Sequence, residues 1–350
     1  MTTADTRGTD LQIRPTTTVV FTHGGGRFGN QLTLFGHLIA LAEENPRISI
    51  LNIPFWPYAR LCRGTEHNGL CQYPFSLPLA VSRSRDSASA KRQAGWAWRA
   101  ALRFCQTVSP AMPDRVRKSL SYRLPRLVHR CRPKLSIDRD YASETTWLGD
   151  PDFVQSLCSR RTVLLAGYEL RDWEAFQKHE DAIRRFLRPV DRYQEKARSF
   201  LEPLRRRHNP LVGLLLRKTD YRAWQSGRYF FGNEQYARWI RQLRARFGAD
   251  TGFVLGADEV EPADAFHGLD CYWASGAVGR GGHYLESMLE LSGCDVVASV
   301  PSTFAAWAAF FGGKPLLPFT RPEEDASETV LLENHLFGAR QHPDFSKALC

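Results

Sequence analysis

The run Leu211-Val212-Gly213-Leu214-Leu215-Leu216 constrains this chain more than any other stretch. Six apolar residues in succession leave no polar face for water, so they read as a short, buried strand. The run stops at Arg217-Lys218-Thr219-Asp220-Tyr221 and a polar loop with glycine follows. Asn233 then caps an expected helix through Glu234-Gln235-Tyr236-Ala237-Arg238-Trp239-Ile240. Two cations at the carboxyl end of a buried strand, ahead of a helix, stand where open α/β sheets bind ligands. Arginine offers a planar fork that grips phosphate oxygens through two bonds, and lysine adds a point charge. Taken alone, such a pair reads as readily as the solvated end of a strand.

Other units of the same kind surround it. Thr17-Thr18-Val19-Val20-Phe21-Thr22 is a β-branched strand signal that runs into His23-Gly24-Gly25-Gly26-Arg27-Phe28-Gly29-Asn30-Gln31. Leu32, Leu34, Phe35, Leu38, Ile39 and Leu41 then recur at helical spacing until Asn45-Pro46. At such a glycine turn the backbone must approach something closely, and the helix start is electropositive. The spacing Gly24-x-Gly26-x-x-Gly29 also fits the dinucleotide fingerprint, which expects an acidic residue about 20 positions later. The next strand, Arg47 to Ile53, ends in Asn52-Ile53-Pro54 with no acid. A nicotinamide-dependent oxidoreductase therefore stays as an alternative on glycine spacing alone.

Further on, Arg161 to Tyr168 is strand-like and leads to one expected helix carrying Trp173, Phe176, Ile183 and Phe186, ended by Leu187-Arg188-Pro189. The charged segment Asp191 to Asn209 reads as a second helix and a hinge. After the opening strand, Asp250 to Gly256 gives another, ended by Ala257-Asp258-Glu259. A glycine-rich loop (Gly276 to Gly282) precedes a helix with Tyr284, Met288, Leu289 and Leu291. Cys294 to Ser299 is a strand that turns at Pro301 into Ser302-Thr303-Phe304-Ala305-Ala306-Trp307. Hydroxyls, free amides and the dipole at that helix start make a second phosphate-binding arrangement, although in isolation it is an ordinary cap. Lys314 to Leu317 forms a short final strand, and the remainder reads as tail.

A chain of 350 residues with 43% hydrophobic content is long enough for two cored domains. Met1 to Thr18 is polar without an apolar core, so no signal peptide is expected, and no stretch has the length of a membrane span. Eight cysteines without a Cys-x-x-Cys pair read as reduced thiols rather than a disulfide frame or zinc site. The net charge of +10 invites an anionic partner. Much of it lies between Arg83 and Arg139, where Gly95 to Phe104 interleaves tryptophan and arginine on an expected helix. Such a segment can lie on an anionic membrane surface, or be a solvated insertion whose tryptophans pack on the domain. No recognised nucleic-acid motif accompanies the charge. Asp138-Arg139-Asp140 spells a pattern used to hold a divalent cation. It should close an apolar strand, whereas Pro133 to Ile137 is too short and polar, so it reads as surface.

Four of these stretches, in order, resemble the GDP-fucose-dependent fucosyltransferases. Gly26-Arg27-Phe28-Gly29-Asn30-Gln31 resembles their Gly-x-x-Gly-Asn-Gln element, in wording closest to the protein O-fucosyltransferases. Gly167-Tyr168 with the Trp173 and Phe176 helix is similar to the Gly-Tyr-x-Gln-x-x-x-Tyr-Phe segment of the α1,2-fucosyltransferase family (glycosyltransferase family 11). Leu216-Arg217-Lys218-Thr219-Asp220-Tyr221 resembles that family's His-x-Arg-Arg-Gly-Asp-Tyr motif. Ser302-Thr303-Phe304-Ala305-Ala306-Trp307 is similar to its late Asn-Ser-Thr-Phe-Ser-Trp-Trp motif. The departures are Leu215 in place of His, Lys218 in place of the second Arg, and Pro301 and Ala306 in place of Asn and Trp.

The resemblance implies a GT-B-like α/β architecture of two Rossmann-type domains facing across a cleft. Residues 1–200 would form the acceptor side, with a basic helical insertion at about 80–145, and residues 201–350 the donor side. It implies an inverting enzyme that needs neither metal nor cofactor and moves L-fucose from GDP-fucose to a glycan hydroxyl. Arg217 would stabilise the leaving diphosphate, with Asn30 and Asp220 beside it as the catalytic set. Gly25, Gly26, Arg27, Phe28, Lys218, Tyr221, Asp258, Ser302, Thr303 and Phe304 would bind the donor. The expected setting is assembly of a surface polysaccharide in the cytoplasm, on a lipid-linked acceptor. The basic segment 83–139 would touch the inner face of the membrane there. A protein of the same fold that binds sugar nucleotide or glycan without turnover is the competing expectation, and Leu215 favours it.

Overall fold

A computed structural model describes residues 15–68, 71–74, 133–139, 145–333 and 335–349, with isolated positions between 115 and 130. Most of the basic segment 83–139, the helix expected at 95–104 and Asp140 lie outside the described residues. The chain divides into two compact units. One comprises Met1–Gly24, Phe35–Ala59 and His67–Ile183; the other comprises Gly25–Leu34, Arg60–Glu66 and Arg184–Cys350.

In the first unit the strands are β1 (Thr17–His23), β2 (Ile48–Asn52), β3 (Gln72–Tyr73), β4 (Ser136–Asp138), β5 (Thr146–Trp147), β6 (Thr162–Ala166) and β7 (Leu170–Arg171). The main sheet has the order β3-β2-β1-β6-β4, with β3 antiparallel and the other pairings parallel. Helix α1 (Phe28–Glu44) follows β1, and α2 (Pro151–Cys158) is capped by the Asp150 carboxylate, which accepts from the Asp152 and Phe153 amides. The helix expected to run from Trp173 through Phe186 is two, α3 (Trp173–Lys178) and α4 (Glu180–Leu187). The break falls at His179, whose amide closes α3 while its imidazole pairs with Glu44 at 2.5 Å. The segment judged too polar for a strand does form β4, beside β6. It is an edge strand, half-exposed, where polar residues carry no penalty.

The second unit follows the order α5 (Asp191–Arg205), β8 (Leu211–Leu216), α6 (Asn233–Phe247), β9 (Gly252–Ala257), β10 (Cys271–Trp273), α7 (Tyr284–Ser292), β11 (Val296–Ser299), α8 (Thr303–Gly312), β12 (Leu316–Pro318), α9 (His335–Gln341) and α10 (Pro343–Leu349). Its sheet runs β10-β9-β8-β11-β12, all parallel, with every residue of β8 buried at the centre. Apolarity on both faces is what such a strand requires. The chain builds outward from β8 through β9 to β10, then returns to the other side of β8 for β11 and β12. The order therefore reverses between β8 and β11, and crevices at such reversals open at the carboxyl ends of the strands.

The segment after β12 is not tail: α9 and α10 bury Leu336, Phe337, Ala339, Phe345 and Leu349. These apolar residues are split over two seven-residue helices, too short to show a sustained period. Asn233 does not cap α6; Gly232 holds that position without a side-chain bond, and the Asn233 amide is used elsewhere.

Helix α8 is almost wholly apolar and buried, so its polar atoms need partners inside. The Trp307 indole N–H donates to Thr33 Oγ1 at 2.9 Å, and the Thr33 hydroxyl donates to the Gly29 carbonyl at 3.2 Å. The first turns of α1 thus pack on α8, and Gly25–Leu34 belong to the second unit. Replacing Thr33 by Val would leave the indole N–H unpaired in the interior. Unfolding free energy should fall by about 1–3 kcal/mol in urea titration. Thr33→Ser, which keeps the acceptor, should lose much less.

Candidate active site

Arg217 follows directly on β8, and its backbone N–H donates to the Tyr236 hydroxyl at 3.3 Å. Its side chain is 14% exposed and lies flat on Tyr221, with the guanidinium carbon 4.7 Å from the ring centroid. One terminal nitrogen meets Asp220 at 2.9 Å and the other meets Asp258 at 3.3 Å. The Nε–H is buried without a hydrogen-bond partner. Burial works against the charge. Tyr221, Asp258 and Asp220 outweigh it and hold the group above its ordinary range, so Arg217 stays cationic.

Asp258, at the end of β9, organises this turn. Its carboxylate accepts from the Lys218 amide at 2.8 Å and from the Thr219 hydroxyl at 2.7 Å while pairing with Arg217. Tyr221 closes it from the other side: its hydroxyl donates to the Pro301 carbonyl, joining the end of β8 to the end of β11. Burial pushes the phenol up, so it remains a hydrogen-bond donor.

Lys218 faces elsewhere. Its ammonium meets Glu261 at 2.5 Å and the Asn233 carbonyl at 2.5 Å, and Asn233 donates to the other Glu261 oxygen at 2.8 Å. The Lys218 side chain is 8% exposed and that of Glu261 4%, so the charge is spent inside the fold. Neither Glu261 nor Asn233 was an expected site residue. A lysine beside an arginine at the end of a buried strand was the available signal, because a second buried cation needs its own counter-charge.

The glycine turn comes up to the same place. Arg27, 72% exposed, has its guanidinium 4.0 Å from Asp220, which it shares with Arg217. Gly26 has φ +81°, and a Cβ there would sit 2.2 Å from the Asn30 side-chain nitrogen Nδ2. A Cβ on Gly29 would lie 2.7 Å from Thr303 Oγ1 and 3.2 Å from the Phe304 amide nitrogen. Only glycine lets α1 approach the start of α8 so closely. Phe28 packs on Tyr284 at 5.6 Å, and the Gln31 side chain donates to the Gly25 carbonyl at 2.7 Å. Ser302 is the buried N-cap of α8 but makes no side-chain cap bond, and Thr303 and Phe304 are half-buried in the first turn.

Arg217, Asp220, Tyr221 and Asp258 thus form one connected group. Arg27 joins it through Asp220, and Ser302 through Tyr221 and Pro301. Gly26, Asn30 and Gly29 shape its glycine wall. Among the described residues, no three His, Cys, Asp or Glu side chains stand where they could share a metal ion.

Neither protein-family models nor curated sequences give a match to this chain. The fold is similar to that of an Arabidopsis thaliana FUT1 variant solved in complex with GDP, with a TM-score of 0.50 at 13% identity, covering 91% of this chain and 75% of that one. POFUT1 in complex with GDP-fucose gives 0.47 at 11% identity, covering 88% and 99%, and its apo form 0.46 at 12%, with the same coverage. The expected GT-B-like α/β class is met, with a largely parallel sheet in each unit.

The Lys218–Glu261 pair gives a stability test. Lys218→Met would strand the Glu261 carboxylate in the interior and should cost about 3–5 kcal/mol in urea unfolding. Adding Glu261→Leu removes the orphaned charge and should restore most of that loss.

Proposed function

We propose that this chain is a fucosyltransferase of the inverting, metal-independent kind, moving L-fucose from GDP-fucose to a glycan hydroxyl. The observation that carries the reading is the water-poor guanidinium of Arg217, placed at the strand reversal on Tyr221, whose hydroxyl bonds to Pro301 just ahead of α8. The likeness to a fold neighbour whose structure contains GDP supports the choice of donor.

The chemistry follows from charge. As the bond from the fucosyl anomeric carbon to the β-phosphate oxygen breaks, its electron pair goes to that oxygen. A fixed cation nearby stabilises the growing charge without reorganising. Arg217 supplies the cation, and Asp258 fixes the plane of the fork. The α8 amides, with Ser302, Thr303 and Phe304, take the rest of the diphosphate. Gly25, Gly26 and Phe28 form the wall along which the donor lies, and Arg27 and Asn30 reach its fucosyl end. The acceptor hydroxyl oxygen attacks the opposite face of the anomeric carbon, forming one bond as the other breaks, which inverts the centre, and the hydroxyl proton passes to water. Asp220 is an orienting group in this scheme and not the base, since both its oxygens are turned to cations. Lys218 acts through the turn it anchors.

An α1,2 linkage, a lipid-linked acceptor in polysaccharide assembly and peripheral contact with the inner membrane face complete the proposal. No helix among the described residues is long and apolar enough to cross a membrane. Vesicle co-sedimentation checks the membrane half: the full chain should bind anionic vesicles, and neutralising the cations of 83–139 should abolish it.

For the chemistry, Arg217→Lys keeps the charge and loses the fork. Release of GDP from GDP-fucose should drop by about 10²–10³-fold with the fold intact by circular dichroism. Unchanged turnover would remove Arg217 from this role. Titration with GDP-fucose, GDP-mannose and UDP-sugars should single out GDP-fucose; binding without GDP release would make the chain a sugar-nucleotide binder.

A further inference from the structure

The loop from Arg217 to Gly232 is held from its far end. The Tyr221 ring that carries Arg217 lies 5.0 Å from the Trp224 ring, and Trp224 lies 5.3 Å from Tyr229. Tyr229 is fully buried, and its hydroxyl donates to Asp344 Oδ1 at 2.7 Å, in the first turn of α10. Arg228 meets the same carboxylate at 3.3 Å, and Lys347 at 3.5 Å. The chain of contacts from Asp344 to the Arg217 guanidinium is thus unbroken.

Between Trp224 and Tyr229 the backbone is strained. Gln225 and Ser226 take φ of 50° and 56°, and Gly227 follows at 77°. Two successive non-glycine residues in the left-handed region persist only where the surroundings over-determine them. Here the surroundings are the two aromatic flanks, and the outer flank is tied to α10. Burial would push the Asp344 carboxyl up. The Tyr229 hydroxyl and Arg228 outweigh that and leave it below its usual range, so the anchor is an anion.

We propose that Asp344 is a positioning residue for Arg217: its carboxylate anchors Tyr229 and, through Trp224 and Tyr221, fixes the surface on which the guanidinium rests. This rests on the reading of Arg217 as the group that meets the departing diphosphate, whereas the anchoring itself does not. The plainer role is that Asp344 only staples α10 to the body of the unit.

The full-length chain carrying Asp344→Asn or Tyr229→Phe separates the two, with Asp344→Glu as the conservative control. Amide hydrogen exchange needs no substrate. Both variants should speed exchange over residues 217–231, with β8 and β11 unchanged, and the double variant should add little to the larger single effect. For GDP-fucose turnover, kcat should fall about tenfold while the donor KM moves by less than about threefold. Asp344→Glu should recover part of the kcat. Exchange unchanged over 217–223, or faster exchange confined to 335–349 with kcat intact, would overturn the proposal. Should Asp344→Asn fail to fold, Tyr229→Phe, which removes one oxygen and keeps the ring stack, carries the same readouts. A wild-type chain that releases no GDP would sink the functional reading, and the exchange data would still decide this one.

Discussion

A guanidinium held out of water is the interaction from which the second unit takes its layout. Arg217 cannot discard its proton, so the fold must supply counter-charge, a flat partner and a rigid backbone at one strand end. Asp258 and Asp220 supply the first, Tyr221 the second, and the Tyr236 hydroxyl with the Asp258 bond to the Lys218 amide the third. Between them these groups come from three segments: the turn itself, the end of β9, and α6. A cation so constrained adds little to stability, since burying a paired charge gains little net free energy.

The sheet order explains why this cation has company. A reversal between β8 and β11 leaves the two strand ends side by side. Tyr221 spans that gap to Pro301, and the start of α8 presents uncapped amides beside it. The approach of α1 on Gly29 supplies the third wall. Cation, amides and glycine turn meet because topology and two close contacts bring them together.

Much of this was legible in the sequence. Leu211 to Leu216, the glycine turn and the Ser302-Thr303 helix start were each visible as pattern. The reason is that buried strands and tight turns restrict residue type locally. What escaped depended on distant partners. Lys218 has the same local signature as Arg217, and only Glu261 and Asn233, brought in by β9 and α6, decide that it turns inward. Asp344 lies in a stretch whose two short helices give no sustained period, so nothing local marked it as a neighbour of Tyr229. The contact of His179 with Glu44 likewise joins residues far apart along the chain. The edge strand β4 was missed because its polarity argues against a strand everywhere except at a sheet margin.

The bond between Trp307 and Thr33 carries a lesson about inheritance. Residues 25–34 are encoded ahead of nearly everything in the first unit yet are stitched by hydrogen bond and glycine contact into the second. A gene fusion or crossover that exchanged only the later half of such a chain would import an α8 fitted to a foreign turn. The two stretches must be inherited as a matched set, so the boundary that matters for shuffling this architecture is not a single point along the polypeptide.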